Sequence, residues 1–371
     1  MLSNTLLKKL KDTITYVLFW FVAGVLYIIL ERGMMGDLTI YPSTGNPYNF
    51  KSSLIAVAVT SLFIGFGHGM LERTVFRNLF KRHPFIIKIL FKTVFYAILM
   101  LVAQLLISFP LNSMALGKPL FHPEVVSTVK GFITNFIFLS ILLYMAVFMF
   151  LGMFVDEMLQ NIGGTVALNF FTGRYHRSKV ETRVFMFLDM KSSTTIAEQL
   201  GHEKYYQLLN AYYEDMTRAL IETKGEIYQY VGDEIVVSWR DQKGLEKNNC
   251  IRCFFMIKEA INRQAKRYQK RYGLVPEFKA GLHIGEITTG EIGVLKKELL
   301  FTGDAVNTTA RIQGLCNELE STLLISKDLL DALTLDASYL VSPKGEYELR
   351  GRDKKVELFS VEQQRKISKD K

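Results

Sequence analysis

Four stretches of this chain carry no formal charge at all. Residues 13–30, 52–71, 93–117 and 131–155 contain no Asp, Glu, Lys or Arg. A bilayer's hydrocarbon core is ~30 Å thick, so a crossing helix needs about 20 apolar residues, and each stretch is near that length. Four transmembrane helices within residues 1–155 are therefore expected. The overall charged fraction, 22%, is ordinary for a soluble domain, but only because every charge lies outside these runs. With 27 Phe and 17 Tyr, the chain has too much to bury for intrinsic disorder.

Lys and Arg number 45 against 36 Asp and Glu, a formal net charge of +9. A nucleic-acid binder would gather such an excess on one face. Here much of it flanks the apolar runs, so a lipid bilayer is the expected partner and no nucleic acid is. The amino terminus holds Lys8, Lys9 and Lys11, and the second connection holds Arg73, Arg77, Lys81, Arg82 and Lys88. Arg174, Arg177 and Lys179 follow the last run. The first connection instead balances Glu31 and Asp37 against Arg32 and Lys51, and the third has only Lys118, Glu124 and Lys130. Basic residues collect on the cytoplasmic side, so the amino terminus and everything after residue 155 are expected there, at the cell (inner) membrane. The first run is long for a signal peptide and no small-residue cleavage site follows it, which favours a retained helix. Inside the spans, His68, Gln104 and Asn135 are the notable polar side chains. His68 stands near Glu72 and reads as an interhelical or interfacial bond, with a sensing group as the alternative. Gly65 and Gly69 have the spacing that permits close helix approach. So few polar groups count against a transporter.

Residues 156–181 change character, with Leu159, Ile162, Val166 and Phe170 at helical spacing, broken by Gly163 and Gly164. They form either a plain tether or a short two-chain helical contact. From residue 182 the period changes again. Thr182–Asp189 is β-rich and apolar on both faces, as in a covered central strand. Ser192, Ser193, Thr194 and Thr195 supply hydroxyl caps for a following helix. Tyr205, Leu209, Tyr212, Met216 and Leu220 then mark an amphipathic helix. Residues 225–239 read as two strands joined at Gly232-Asp233, a hairpin signal. Cys250 and Cys253 have metal-like spacing, but no second pair completes a zinc site, so they read as the buried face of a helix. The basic stretch Arg263 to Arg271 reads as the solvated face of a helix whose apolar side is Ile257, Ile261, Ala265 and Tyr268.

Asp189 closes the first strand and Asp233 sits at the hairpin tip, so adjacent pairing would bring their carboxylates together. Such a pair repels unless a cation lies between, and hard oxygen ligands with open positions suit Mg²⁺ or Mn²⁺ completed by substrate phosphates. The N–H groups and hydroxyls of residues 190–194 at a helix start would hold those phosphates. Asp189 as a helix cap and Asp233 as a turn residue is the structural alternative.

Five collinear segments carry a resemblance. Phe187–Glu198, Tyr230–Glu234, Gly281–Gly285, Gly303–Arg311 and Leu349–Arg352 with the strand Val356–Val361 resemble the class III adenylyl/guanylyl cyclase homology domain over residues 178–362. The resemblance implies an α+β catalytic domain with a βαββαβ ferredoxin-like, palm-type core behind an α-helical transmembrane region. Asp189 and Asp233 match the family's metal-binding aspartates, with the Met190 carbonyl as an extra ligand for two divalent cations, Mg²⁺ or Mn²⁺. Asn307 matches the asparagine that orients the ribose, Arg311 the arginine that stabilises the transition state, and Arg350 a phosphate-contacting lysine. In this family the site forms between two domains, metals from one and Asn and Arg from the other. Since this chain holds both sets, a homodimer is implied.

The purine-facing positions depart from the family pattern. Adenine-selective members place Lys where Gln229 stands and Asp or Thr where Leu300 stands; guanine-selective ones have Glu and Cys. Gln229 offers an amide donor and acceptor, while Leu300 can only pack. ATP is the expected substrate, because no acidic acceptor faces a guanine edge. Lys296 and Lys297 read as a solvated basic turn. Val231–Ile235 is also similar to the hairpin of diguanylate cyclases, which would not require Asn307 and Arg311 four residues apart on one helix face. The expected organisation is a four-helix transmembrane domain (1–155), a helical linker (156–181), a cyclase catalytic domain (182–362) and a basic tail (363–371). The expected activity is membrane-bound adenylate cyclase. A guanylate cyclase, or a membrane receptor with a nucleotide-binding but inactive domain, is the alternative.

Overall fold

A computed structural model of the chain describes residues 4–37, 39–40, 48–76, 79, 83–162, 173, 177–295, 297–349 and 355–364. The chain separates into a helical unit within residues 8–167 and a sheet-bearing unit from residue 168 on.

The helical unit contains α1 (Asn4–Met35), α2 (Phe50–Leu71), α3 (Phe85–Leu116), α4 (Pro123–Ile133) and α5 (Phe136–Ile162). Among the described residues four segments are long and apolar enough to cross a membrane: Thr13–Met35, Phe50–Phe76, Phe85–Leu116 and Phe138–Met158. Their outward faces stay apolar, with Ile55, Phe63, Leu106 and Leu143 all exposed, as expected where the solvent is lipid. The fourth charge-free run is not one helix. Thr134 bonds back to the Lys130 and Gly131 carbonyls, and the Asn135 carbonyl accepts from Phe138 N–H, so α4 ends and α5 begins inside the run. Composition alone cannot register such a local break. A β-carbon on Gly65 would lie 2.6 Å from Val17 Cα, so α1 and α2 approach closely only because glycine is there. Trp20 Nε1 donates to His68 Nδ1 at 2.9 Å, which ties α1 to α2, and Lys92 of α3 pairs at 2.7 Å with Glu72, the residue that caps the end of α2. His68 is thus an interhelical bond.

The positions Arg77, Lys81 and Arg82, the linker residues 163–172 and 174–176, and the tail from 365 lie outside the described residues.

The second unit holds a mixed sheet. Its elements are β1 (Lys179–Met190), α6 (Ser193–Leu200), α7 (His202–Glu222), β2 (Glu226–Val231), β3 (Glu234–Arg240) and the short α8 (Asp241–Leu245). After these come α9 (Asn249–Arg263), α10 (Ala265–Tyr272), β4 (Phe278–Ile292), β5 (Glu298–Thr302) and α11 (Asp304–Gly314). The chain closes with β6 (Leu323–Ser326), α12 (Lys327–Ala332), β7 (Tyr339–Tyr347) and β8 (Val356–Gln363). The sheet order is β2-β3-β1-β4-β6-β8-β7, with β5 added to β4. The β2-β3-β1-β4 part, with helices between β1 and β2 and between β3 and β4, is the expected βαββαβ core.

Strand β1 explains the layering. Val184, Met186 and Leu188 point into a core with Tyr212 and Met216 of α7 and Phe254 and Ile257 of α9. Phe185 and Phe187 point to the other face, against Phe301 of β5 and Ala305 of α11. A strand buried on both faces has no polar alternation, as the sequence suggested. Cys250 and Cys253 are fully buried in the first core, and burial pushes both thiols up to about 12. The basic stretch divides at Gln264 into α9 and α10; Arg267 pairs with Asp215 and Arg271 bonds Gln207 at 2.9 Å.

Candidate active site

Antiparallel pairing of β1 with β3 sets Leu188 opposite Ile235. One step further along β1 is Asp189, and just before β3 comes the turn Gly232-Asp233, with Gly232 at φ +63°. That conformation favours glycine, and it lets the two-residue turn close. Burial raises Asp189 to about 6, and the Asp233 carboxyl adds to the rise both as a hydrogen-bond partner and by like-charge repulsion. Lys279, Nζ 4.0 Å from Asp189 Oδ2, offsets part of it. Gln313 Nε2 donates to the same oxygen at 3.3 Å. Asp233 Oδ2 is buried without a hydrogen-bond partner among the described residues.

A buried orphan carboxylate oxygen beside a second, proton-hungry carboxylate is the donor chemistry of a hard divalent cation. Among the described residues no cluster of three His, Cys, Asp or Glu side chains could hold a metal. Cations here would therefore need phosphate and water oxygens to complete their shells, as Mg²⁺ and Mn²⁺ commonly do. Met190 buries its side chain in the core, which leaves only its main chain for such a role.

The next turn departs from expectation. Ser192 is the N-cap of α6 but lies at φ 55°, ψ 30°, with no side-chain cap bond. A capping hydroxyl needs an extended backbone at this position. The first-turn N–H groups of Ser193 and Thr194 are consequently left without a capping side chain, a ready anion site.

Helix α11 reaches this region across β4. A β-carbon on Gly281 would lie 2.4 Å from the Gln313 nitrogen, and one on Gly285 2.8 Å from Ala305 Cβ. Both glycines of the Gly281–Gly285 segment therefore exist to let α11 sit against the strand. On α11, Asn307 is exposed and Arg311 is half-buried. Arg311 Nη1 is buried without a hydrogen-bond partner among the described residues. No hydrogen bond or ion pair among those residues joins Asn307 or Arg311 to Asp189 or Asp233 within the chain.

Gln229 on β2 and Leu300 on β5 are both exposed. Their neighbours Tyr228 and Phe301 stack at 4.5 Å and 25°. Lys297 pairs with Glu291 at 3.8 Å, while Lys296 and Arg350 lie outside the described residues. Lys279, Gln313 and Tyr213, whose hydroxyl reaches the Gly232 carbonyl at 2.8 Å, belong to the site but were not expected from sequence. Asp189 faces Lys279 across the β1–β4 register, a relation that no local spacing reveals.

Residues 176–363 match the adenylate and guanylate cyclase catalytic domain family. Adenylate cyclase 2 of Rhizobium meliloti (strain 1021) is 39% identical over 208 residues, covering 56% of this chain and 57% of that protein. Adenylate cyclase of Anabaena cylindrica is 24% identical over 183 residues, covering 47% of this chain and 36% of that protein. The chain thus spans little more than half of the first relative and about a third of the second. Among solved structures, an adenylyl cyclase of P. aeruginosa superposes with a TM-score of 0.44 and 22% identity, covering 51% of this chain and 98% of that one.

Proposed function

The chain belongs to the adenylate and guanylate cyclase catalytic domain family, and from that premise we propose that it is a membrane-bound adenylate cyclase. It would convert ATP to 3′,5′-cyclic AMP and pyrophosphate at the interface of a homodimer. The observation that carries this reading is the orphaned Asp233 Oδ2 beside Asp189. Family membership implies a nucleoside triphosphate substrate and general dependence on two metal ions. Asp189 and Asp233, with the Met190 carbonyl, would hold two Mg²⁺ or Mn²⁺ ions. When bound, such cations lower the pKa of the ribose 3′-hydroxyl and neutralise phosphate charge.

The protein's own groups do the rest. The N–H groups and hydroxyls at Ser192, Ser193 and Thr194 hold triphosphate oxygens at the start of α6, and Arg350 adds a phosphate contact. Asn307 orients the ribose so that its 3′-oxygen lies in line with the α-phosphorus. As that oxygen gives its proton to water and bonds to the α-phosphorus, the bond from phosphorus to the bridging oxygen breaks and pyrophosphate leaves. Arg311 meets the charge that develops on the phosphoryl oxygens, a role worth about 10²–10³-fold in rate. Among the described residues its Nη1 has no hydrogen-bond partner and no bond links it to the aspartates, which supports its acting on the site of a second copy. Gln229 presents an amide to the adenine edge, and Leu300 packs on the ring.

The basic flanks of the spans support an amino terminus and catalytic domain on the cytoplasmic side of the cell membrane. Product analysis with the purified full chain, Mn²⁺ and either ATP or GTP tests the proposal, with Asp233→Ala as control. Cyclic AMP and pyrophosphate in equal amounts are expected. Cyclic GMP as the main product would assign a guanylate cyclase. No cyclic product from either nucleotide would leave a nucleotide-binding receptor.

A further inference from the structure

Strand β2 does not run in register along its whole length. Glu226 faces Ser238 and Ile227 faces Val237, but the next paired residue is Gln229, opposite Val236. Tyr228 is therefore the extra residue of a β-bulge, and bulges re-aim the side chain they carry. Here the ring leaves the β2–β3 ladder and reaches β5. It stacks on Phe301 at 4.5 Å, and its hydroxyl accepts the Phe301 main-chain N–H at 3.3 Å. Among the described residues strand β5 pairs only with β4, so this bond is made on its open edge.

Phe301 is held by two further groups. The Arg183 guanidinium lies 4.6 Å from the ring centroid, and Phe185 meets the same ring edge-on at 5.8 Å. Arg183 is itself immobilised, donating to Glu181 at 2.9 Å, Glu226 at 2.8 Å and the Ser238 hydroxyl at 2.6 Å. One buried cation thus ties together β1, β2 and β3, and through Phe301 also β5. Such a buried, fully bonded Arg is held in one geometry.

Tyr228 immediately precedes Gln229, and Phe301 immediately follows Leu300. We infer that the Tyr228–Phe301 stack, braced by Arg183, is the positioning unit that sets the spacing between Gln229 and Leu300 and thereby the purine selectivity of the site. This rests on the proposed function only in taking Gln229 and Leu300 as the base-facing pair. Neither side chain carries the family's charged base reader, so selectivity falls on where an amide and an aliphatic surface stand. That placement is a distance between two strands, and Tyr228 is the side chain that spans it.

The test compares the wild-type chain with Tyr228→Phe, which keeps the ring and removes only the hydroxyl, and with Tyr228→Leu, which removes the stack. Turnover of ATP and GTP is measured together with equilibrium binding of their α,β-methylene analogues, by displacement of a fluorescent nucleotide. For Tyr228→Phe, KM for ATP rises about fivefold, the loss of one hydrogen bond, while kcat stays within about twofold. The ATP-to-GTP ratio of affinities falls by a similar factor in Tyr228→Phe and further in Tyr228→Leu. An unchanged ratio in Tyr228→Phe, with wild-type thermal stability, overturns the inference. Wild-type protein that binds both analogues without making cyclic product defeats the proposed activity alone, and the affinity ratios still decide this point. Wild-type protein that binds neither analogue defeats both.

Discussion

The Tyr213 hydroxyl donates to the Gly232 carbonyl at 2.8 Å and lies 3.4 Å from that of Glu234, bracketing Asp233 on both sides. Its ring packs on Tyr230 at 4.5 Å, so helix α7 holds both the strand β2 and the turn that presents the carboxylate. Tyr213→Phe removes the clamp and keeps the ring. The expected result is a stability loss of about 1 kcal/mol, the worth of one hydrogen bond. The apparent Mn²⁺ affinity should fall about fivefold, by the same energy, with kcat at saturating Mn²⁺ little changed. Mn²⁺ titrations read by thermal shift and by turnover check this, and an unaltered metal midpoint in both would show that the turn holds without Tyr213.

Asp189 gives a pH dependence whose sign is fixed. Burial and Asp233 raise its carboxyl from an ordinary 3.8 to about 6 in the folded, metal-free protein. The folded state then binds more protons than the unfolded state between those values, so metal-free stability falls as pH rises through about 4 to 6. Such a rise would be worth ~3 kcal/mol in a fully buried group. With the side chain 28% exposed, solvent screening brings it to about 1 kcal/mol. Asp189→Asn should therefore melt higher than wild type in EDTA at pH 7.5, with the difference vanishing near pH 4. Adding Mn²⁺ at pH 7.5 should stabilise wild type and not the variant. A lower melting temperature for the variant in EDTA at pH 7.5 would show that burial and Asp233 do not strain the ionised Asp189.

Helix α11 is held in place by the absence of two β-carbons on β4. Gly281→Ala would set a carbon 2.4 Å from the Gln313 nitrogen, backbone rather than a movable side-chain end. Overpacking of this kind costs about 1–3 kcal/mol. Because Gln313 and Arg311 share the displaced helix, turnover should drop more than stability alone explains. Gly314→Ala is the matched control, since a β-carbon there meets nothing within 4 Å. Equal melting temperatures and rates for the two variants would show that α11 shifts freely.

Much of this architecture is legible in the chain itself, wherever the controlling relation is local or compositional. The spans follow from runs without charge, and the Asp189–Asp233 meeting follows from a strand, a glycine turn and the pairing of neighbours. What escapes is set by register and by backbone detail. Lys279 reaches Asp189 only because β4 pairs with β1 at that step. The bulge that frees Tyr228 leaves no mark in residue type, since Ile227, Tyr228 and Gln229 read as ordinary strand. The break between α4 and α5 rests on hydroxyl and carbonyl bonds at Thr134 and Asn135, invisible to a count of charges. Ser192 looks like a helix cap by composition, yet at its positive φ the side chain makes no cap bond.

The division of labour between Asp233 and Arg311 yields the last prediction. If one copy supplies the aspartates and the other the arginine, chains carrying Asp233→Ala and Arg311→Ala complement each other. Each variant alone should be nearly inactive, the second by about 10²–10³-fold. Random pairing of the two makes half of the dimers mixed, and each mixed dimer rebuilds one of its two sites. About a quarter of wild-type activity should therefore return on co-expression, because a twofold interface uses the same surfaces on both copies. Recovery of cyclic nucleotide production is the readout, with each variant expressed alone as the baseline. A site assembled within a single chain would show no recovery, since every chain would then lack one of its own essential groups. The orphaned Nη1 of Arg311 and the absence, among the described residues, of an intrachain bond from Arg311 to either aspartate favour recovery.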